Sequence, residues 1–244
     1  MSHARPPGAL YLLPTRLGDI PWSLALPTGV REIACRLRHF VAENAKTARA
    51  HLKWLEHPLP LRELVIEQLP ERLQPADIDR LLAPLRDGCD LGLMSEAGCP
   101  GVADPGALLV RRAHELKLPV KPLVGPSALL LALMASGLEG QRFAFHGYLP
   151  PREPERTRRI VELENASRQR QETQLFIETP YRNTALFDAL LAVCRPETWL
   201  AVASDLTLPD EFIATRRIAD WRRWNPGGSF LERRPTVFLL LSER

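Results

Sequence analysis

Ser95-Glu-Ala-Gly-Cys-Pro-Gly-Val-Ala-Asp-Pro-Gly106 packs Gly98, Gly101 and Gly106 among Pro100 and Pro105, directly after the apolar run Asp90–Met94. No helix passes through such a stretch, and a strand that reaches it must turn. Glycine lets backbone approach a ligand closely, and proline fixes the shape of the loop that does so. In open sheets of parallel strands, ligands sit beyond the carboxyl ends of the strands, where this loop lies. The loop therefore reads as a ligand cradle or, more simply, as a rigid strand-to-helix turn. The common nucleotide fingerprints, GxGxxG and GxxxxGK[ST], are absent from the sequence.

Strand and helix signals alternate around this loop. Ala9–Leu13 is an apolar run stopped by Pro14 and Gly18-Asp19, which predicts a buried strand entering a loop. Gly29–Leu55 divides into a helix, a short strand around His39–Ala42, and a helix through Lys46, Arg49 and Lys53. Pro75 opens a helical run with Ile78, Leu81, Leu82 and Leu85. Asp104-Pro105 predicts the start of the next helix, with aspartate as N-cap and proline in the first helical position. Val120–Val124 predicts a strand, and Pro126-Ser127 a helix over Ala128–Ser136 closed by Gly137. This alternation predicts an α/β domain with a mostly parallel sheet. Strands then come to dominate, at Arg142–Leu149, Gln174–Glu178, Trp199–Ser204, Glu211–Ala214 and Thr236–Leu241, with a charged helix and a post-Pro180 helix between them. A mixed α+β domain is expected there, giving two domains, 1–124 and 125–244.

The 244 residues are 45% hydrophobic and 25% charged, which suits a globular chain with a real core. Cys35, Cys89, Cys99 and Cys194 lie far apart without a CxxC pair, and the six histidines show no ligand spacing, so no metal site is expected. The N-terminus lacks a signal-like apolar region, and no apolar run reaches the roughly 18 residues of a membrane span. Secreted, membrane, fibrous and disordered classes are excluded, and a cytoplasmic enzyme is expected. A net charge of +3 is too small to mark an all-over polyphosphate binder. The six arginines from Arg216 to Arg234, interleaved with Trp221, Trp224 and Phe230, suit phosphate contact with base stacking.

Several ordered motifs then carry a resemblance. Leu10-Tyr-Leu-Leu-Pro-Thr-Arg-Leu-Gly18, Ser95–Gly106, Leu123-Val-Gly-Pro-Ser-Ala128, Ala135-Ser-Gly137, Phe145-His-Gly-Tyr-Leu-Pro150 and Phe176-Ile-Glu-Thr-Pro-Tyr-Arg182 cover nearly the whole chain. With these motifs in this order, the chain resembles the tetrapyrrole (corrin/porphyrin) methylase superfamily, on the branch of the 16S rRNA 2′-O-ribose methyltransferase I group. The resemblance implies S-adenosylmethionine in a cleft between two α/β domains, and a homodimer, for which Trp54, Leu55, Leu59 and Leu61 offer apolar surface. By motif, the cofactor contacts would be Pro14 and Leu17, then Ser95, Ala97, Gly98, Cys99, Gly101 and Val102, then Ser127 and Ala128, and Thr179.

Two departures from the group stand out. Where the ribosomal group usually has Asp-Thr-Arg-His-Thr, in a region that could choose the acceptor, this chain reads Glu43-Asn-Ala-Lys-Thr-Ala-Arg49, and in the cofactor loop Cys99 stands where many relatives have aspartate. On a helix Lys46 and Arg49 share a face. Methyl transfer needs an acceptor held in line with a sulfonium methyl, and a hydroxyl acceptor benefits from a base. Glu96, Lys46 and Tyr181 are the candidates for that chemistry, each with a simpler alternative as turn cap, solvated helix residue or half-core ring. The acceptor is RNA on this reading. The alternatives are a small molecule or tetrapyrrole as acceptor, and a degenerate relative that binds RNA or protein without catalysis.

Overall fold

The computed structural model describes residues 6–224 and 228–243. Residues 1–5, His3 among them, and 225–227 of the arginine and tryptophan stretch lie outside the described residues. The chain divides into two compact units, Met1–Ser127 and Ala128–Arg244.

The first unit contains β1 (Leu10–Leu12), α1 (Trp22–Ala25), α2 (Thr28–Arg36), β2 (His39–Ala42), α3 (Ala45–Trp54) and β3 (Val65–Gln68). It continues with α4 (Pro75–Leu81), α5 (Ala83–Arg86), β4 (Leu91–Met94), α6 (Ala107–Glu115) and β5 (Val120–Pro122). Its five strands run parallel in the order β3-β2-β4-β1-β5, with Leu10 opposite both Leu91 and Val120. One face is closed by α2 and α3 through Val30, Ala34, Ala48 and Leu52, packed with Phe40 and Met94. The other is closed by α4, α5 and α6 through Leu81, Leu85, Leu109 and Ala113, packed with Leu10 and Leu93. Neighbouring strands β1 and β4 thus send their chains to opposite faces. That reversal is the topological switch point, at whose carboxyl ends open α/β sheets leave a crevice.

Two local expectations are corrected. The helix after the Gly/Pro loop starts at Ala107, not at Asp104-Pro105, with Gly106 as its N-cap at φ 125°. A β-carbon at Gly106 would come 3.0 Å from Leu93 Cδ2, so the chain enters the helix where only glycine fits comfortably. The Pro75–Leu85 run is broken into α4 and α5 at Leu82, because Pro84 has no amide to give and crowds the carbonyl four residues back. The expected apolar dimer surface is corrected as well. Leu55 is fully buried, while Trp54, Leu59 and Leu61 pack onto the same core. The Trp54 indole donates to the Ile20 carbonyl at 2.6 Å.

The second unit contains α7 (Ala128–Ser136), β6 (Phe143–Tyr148), α8 (Glu155–Arg170), β7 (Thr173–Ile177) and α9 (Asn183–Val193). Then come β8 (Trp199–Ser204), β9 (Phe212–Arg217), α10 (Ile218–Trp224) and β10 (Thr236–Leu241). Its sheet runs β6-β7-β10-β8-β9, with β6 and β7 parallel and the remaining pairs antiparallel. This is the mixed sheet that the strand-rich second half implies. Among its described residues, the arginine and tryptophan stretch turns only part of its expected stacking surface outward. Trp221 is fully buried and donates to the Leu200 carbonyl at 2.8 Å, and Phe230 packs on the core. Trp224 stays 38% exposed, with the Arg216 guanidinium 4.3 Å from its ring centroid. Arg222 donates to the Leu191 and Cys194 carbonyls, Arg223 pairs with Asp220, and Arg234 with Asp205.

Candidate functional site

Because β1, β4 and β5 are parallel neighbours, the loops that leave their carboxyl ends emerge along one edge of the first unit. The structure ties these loops together. Thr15 and Gly98 form an antiparallel bridge, with Thr15 N–H to Gly98 O at 2.9 Å and Gly98 N–H to Thr15 O at 3.1 Å. The Ser95 hydroxyl points at the Ala97 and Gly98 carbonyls, and the Cys99 thiol donates to the Pro126 carbonyl at 3.4 Å. Gly125 lies so close to Pro14 that an added β-carbon would fall 2.3 Å from Pro14 Cβ. Gly101 has φ +78° and only open space before it: an added β-carbon would meet nothing within 4 Å. A loop anchored to two neighbours, with open space beside Gly101, leaves room there for a ligand to approach the backbone.

Electrostatics at this edge are set by three acids. Glu43 follows β2, and its carboxylate accepts from the Glu96 amide at 3.2 Å. Asp104 is held with its carboxyl pushed up to about 6, first by burial and then by the Glu43 charge. The Ser95 hydroxyl opposes that rise, and the Glu96 charge adds to it. Beside them, Arg16, Leu17, Thr47, His51, Glu96 and Ala97 line a cavity of about 270 Å³. Asp104 was missed as a site residue because Asp-Pro reads as a helix start. His51 was missed because an i,i+3 reading of Lys46 and Arg49 selects another face of α3. Among the described residues no group of His, Cys, Asp or Glu could hold a metal, and no helix is long and apolar enough to cross a membrane.

Most of the expected cofactor residues lie on this one edge. Pro14, Ser95 and Gly98 are buried, Leu17, Cys99 and Ser127 half-buried, and Ala97, Gly101 and Val102 exposed. Glu96 is exposed at the mouth of the cavity, and Lys46 is exposed in the first turn of α3. Ala128, Thr179 and Tyr181 belong to the second unit. There Thr179 follows β7, its amide donating at 2.6 Å to a buried Glu178 carboxylate that also accepts from Arg182. Tyr181 is 83% exposed, so its expected alternative as a half-core ring is not what the structure shows.

Comparison with known proteins follows the same lines. No family model matches the chain. It is 34% identical over 206 residues to the ribosomal RNA small subunit methyltransferase I of Micromonospora olivasterospora, covering 84% of this chain and 61% of that protein. To the protein of the same name from Xylella fastidiosa it is 31% identical over 201 residues, covering 82% of this chain and 69% of that one. The chain belongs to the ribosomal RNA small subunit methyltransferase I family. It spans less than two thirds of the length of several members, 61% in the Micromonospora case. The fold of this family member is shared with the methyltransferase CobJ, at TM-score 0.62 and 18% identity over 97% of this chain and 94% of that one. It is also shared with diphthine synthase, at TM-score 0.65 and 12% identity over 96% and 90%.

Proposed function

We propose that this chain is an S-adenosylmethionine-dependent methyltransferase that modifies a ribose 2′-hydroxyl of small-subunit ribosomal RNA. One observation carries the reading: the three loops beyond β1, β4 and β5 are bonded into one cradle, in a chain that aligns over most of its length with methyltransferases. When bound, S-adenosylmethionine supplies an electrophilic methyl group on sulfonium sulfur. Pro14, Leu17, Ser95, Ala97, Gly98, Cys99, Gly101, Val102 and Ser127, all in the first unit, would hold it.

The chain's own chemical task is to position the acceptor and take its proton, and positioning alone supplies much of such a rate. Glu96 is assigned as the proton acceptor, with Asp104 behind it. Among the described residues of this loop, Asp104 is the carboxyl with proton affinity raised toward neutrality. Lys46 and Tyr181, both exposed, are assigned to holding the acceptor. The reading extends to a cytoplasmic homodimer, the commonest closed assembly; light scattering at micromolar concentration should give twice the chain mass, and the mass of one chain would remove that part.

The test of the reaction uses small-subunit RNA from cells lacking this protein and methyl-labelled S-adenosylmethionine. Label should appear in an alkali-resistant dinucleotide, the mark of a 2′-O-methyl ribose. Label confined to bases, or transferred only to small molecules, would replace the acceptor assignment.

A further inference from the structure

The second unit holds a polar cavity that the proposed reaction does not use. Its volume is about 490 Å³, within the roughly 300–1,000 Å³ of ligand pockets. The last turn of α8, the start of β8 and the ends of β9 and β10 meet around it. Because β10 runs antiparallel to β7, with Leu240 opposite Gln174 and Val237 opposite Ile177, the cavity lies at the end of the sheet away from Thr179 and Tyr181. Its floor is bonded shut. The Thr198 hydroxyl donates to the buried Glu164 carboxylate at 2.6 Å and lies 3.3 Å from the Ser242 hydroxyl. The Ser242 amide donates to Ser167 Oγ at 2.9 Å, which ties β10 to α8.

The walls carry both signs of charge. Arg195 belongs to the fold: its guanidinium donates to Asn165 Oδ1 at 2.9 Å, and the Glu164 carboxylate 3.7 Å away offsets its charge. Arg168 and Arg217 are uncommitted. Both are exposed, and among the described residues neither makes an ion pair or a side-chain hydrogen bond; Arg217 lies over the Trp199 ring, 4.8 Å from its centroid. Glu197 is also exposed and unpaired among the described residues, and Glu243 accepts from the Trp199 indole at 3.3 Å. A bare phosphate entering here would meet both carboxylates. A ligand with hydroxyls beside its phosphate uses the two sets together, guanidinium groups on phosphate oxygens and carboxylates as hydroxyl acceptors. We infer that this cavity holds one phosphodiester of the RNA acceptor, with Arg168 and Arg217 on the phosphate and Glu197 and Glu243 accepting from the neighbouring 2′-hydroxyls. The inference rests on the RNA reading above and names a second place where the chain grips that strand. Since the 2′-hydroxyl is what separates RNA from DNA, the carboxylates make the site selective for RNA.

The full chain is titrated, by fluorescence anisotropy, with a short labelled single-stranded RNA and with DNA of the same sequence. The wild type should bind the RNA about tenfold more tightly, the scale of one charge-assisted hydrogen bond. The double variant Arg168→Ala, Arg217→Ala should weaken both strands about tenfold, and the slope of log K against log salt should shrink by about 0.7 for each arginine. Glu197→Ala should act in two directions, tightening DNA by removing a like charge while the preference for RNA falls. In methyl transfer, the double variant should raise KM for small-subunit RNA by the same factor as its loss of affinity, with kcat unchanged. Each variant should keep its melting temperature and its affinity for S-adenosylmethionine. If Arg217→Ala melts lower for want of its contact with Trp199, Arg168→Ala alone, which breaks no contact of the fold, decides the matter. An unchanged salt slope overturns the inference. So does a Glu197→Ala variant that tightens RNA and DNA equally, since the carboxylates would then only repel. Calorimetry with ribose 5-phosphate separates the sources: Arg168-dependent binding of that compound, with RNA affinity untouched by the variants, would give the cavity to a free sugar phosphate and overturn the RNA assignment. The two readings fail separately. An Arg168- and Glu197-dependent preference for RNA without methyl transfer sinks the proposed reaction alone, and methyl transfer with an unchanged KM in the double variant sinks the cavity assignment alone.

Discussion

Asp104 and Glu43 face one another across a partly dry edge, and the consequence is a stability that depends on pH. A carboxyl whose pKa is raised on folding is better accommodated protonated, so its contribution is complete below the unfolded value of 3.8 and is lost as pH rises through about 6. Asp104→Asn should therefore melt with the wild type at pH 4 and above it at pH 8, the gap opening between those values. Equal melting temperatures across the range would show that the carboxyl is well solvated. Two glycines in the same cradle separate packing from binding. Gly125→Ala places a β-carbon against buried Pro14 and should cost about 1–3 kcal/mol in urea unfolding. Gly101→Val projects into open space, so its folding cost is the left-handed backbone alone, about 1–2 kcal/mol. Its larger effect should appear in calorimetry as weakened S-adenosylmethionine binding, and full affinity up to the unfolding transition would mark Gly101 as merely structural. Glycines and prolines of this loop were legible in the sequence because they punctuate it. The Asp104–Glu43 coupling was not, because it joins the ends of β2 and β4 from distant positions in the chain.

The start of α3 shows how much of an element a short motif sets. Asn44 caps it, its side-chain oxygen accepting from the Lys46 amide at 2.9 Å and the Thr47 amide at 3.2 Å. Asn44→Ala should cost about 1 kcal/mol, while Asn44→Asp should be nearly neutral, as read by thermal unfolding. If both variants melt with the wild type, the cap contributes nothing that solvent cannot replace. The same rules misplace the start of α6. Asp104-Pro105 has the local chemistry of a cap and first turn, but the helix waits for Gly106. Tertiary demand from β4, whose Leu93 crowds that corner, overrides the local signal. Strand positions survive better: Trp199–Ser204, Thr236–Leu241 and the helix Ala128–Ser136 stand where their apolar runs put them. Continuous burial leaves the two strands one way to pack, while the helix, with Leu130 and Met134 exposed, is set by its Pro126 and Gly137 boundaries.

Across both units, cationic side chains divide into those that hold the fold and those left for a partner. Most arginines of the 216–234 stretch are of the first kind, and periodicity could not reveal this because their acceptors, such as the Leu191 and Cys194 carbonyls, lie elsewhere in the chain. Arg222→Ala should therefore lower stability, since both carbonyls would be left without this donor. Lys46 and Arg49 are different. Both are exposed on α3, although Arg49 also reaches back to the Ala45 carbonyl at 3.3 Å, a bond within its own helix that water can replace. They stand on the helix that borders the cavity through Thr47 and His51. If RNA approaches along α3, the Lys46→Ala and Arg49→Ala double variant should bind small-subunit RNA more weakly and with a shallower salt dependence. For every phosphate no longer neutralised, the slope of log K against log salt should shrink by about 0.7–0.9. Cofactor affinity should stay within a few-fold, because neither side chain is among the residues assigned to hold it. A double variant with an unchanged salt slope would make these residues ordinary solvated helix surface and move the RNA path off α3. One that no longer binds S-adenosylmethionine while keeping its fold would shift the cofactor toward the helix and away from the Gly98–Gly101 cradle.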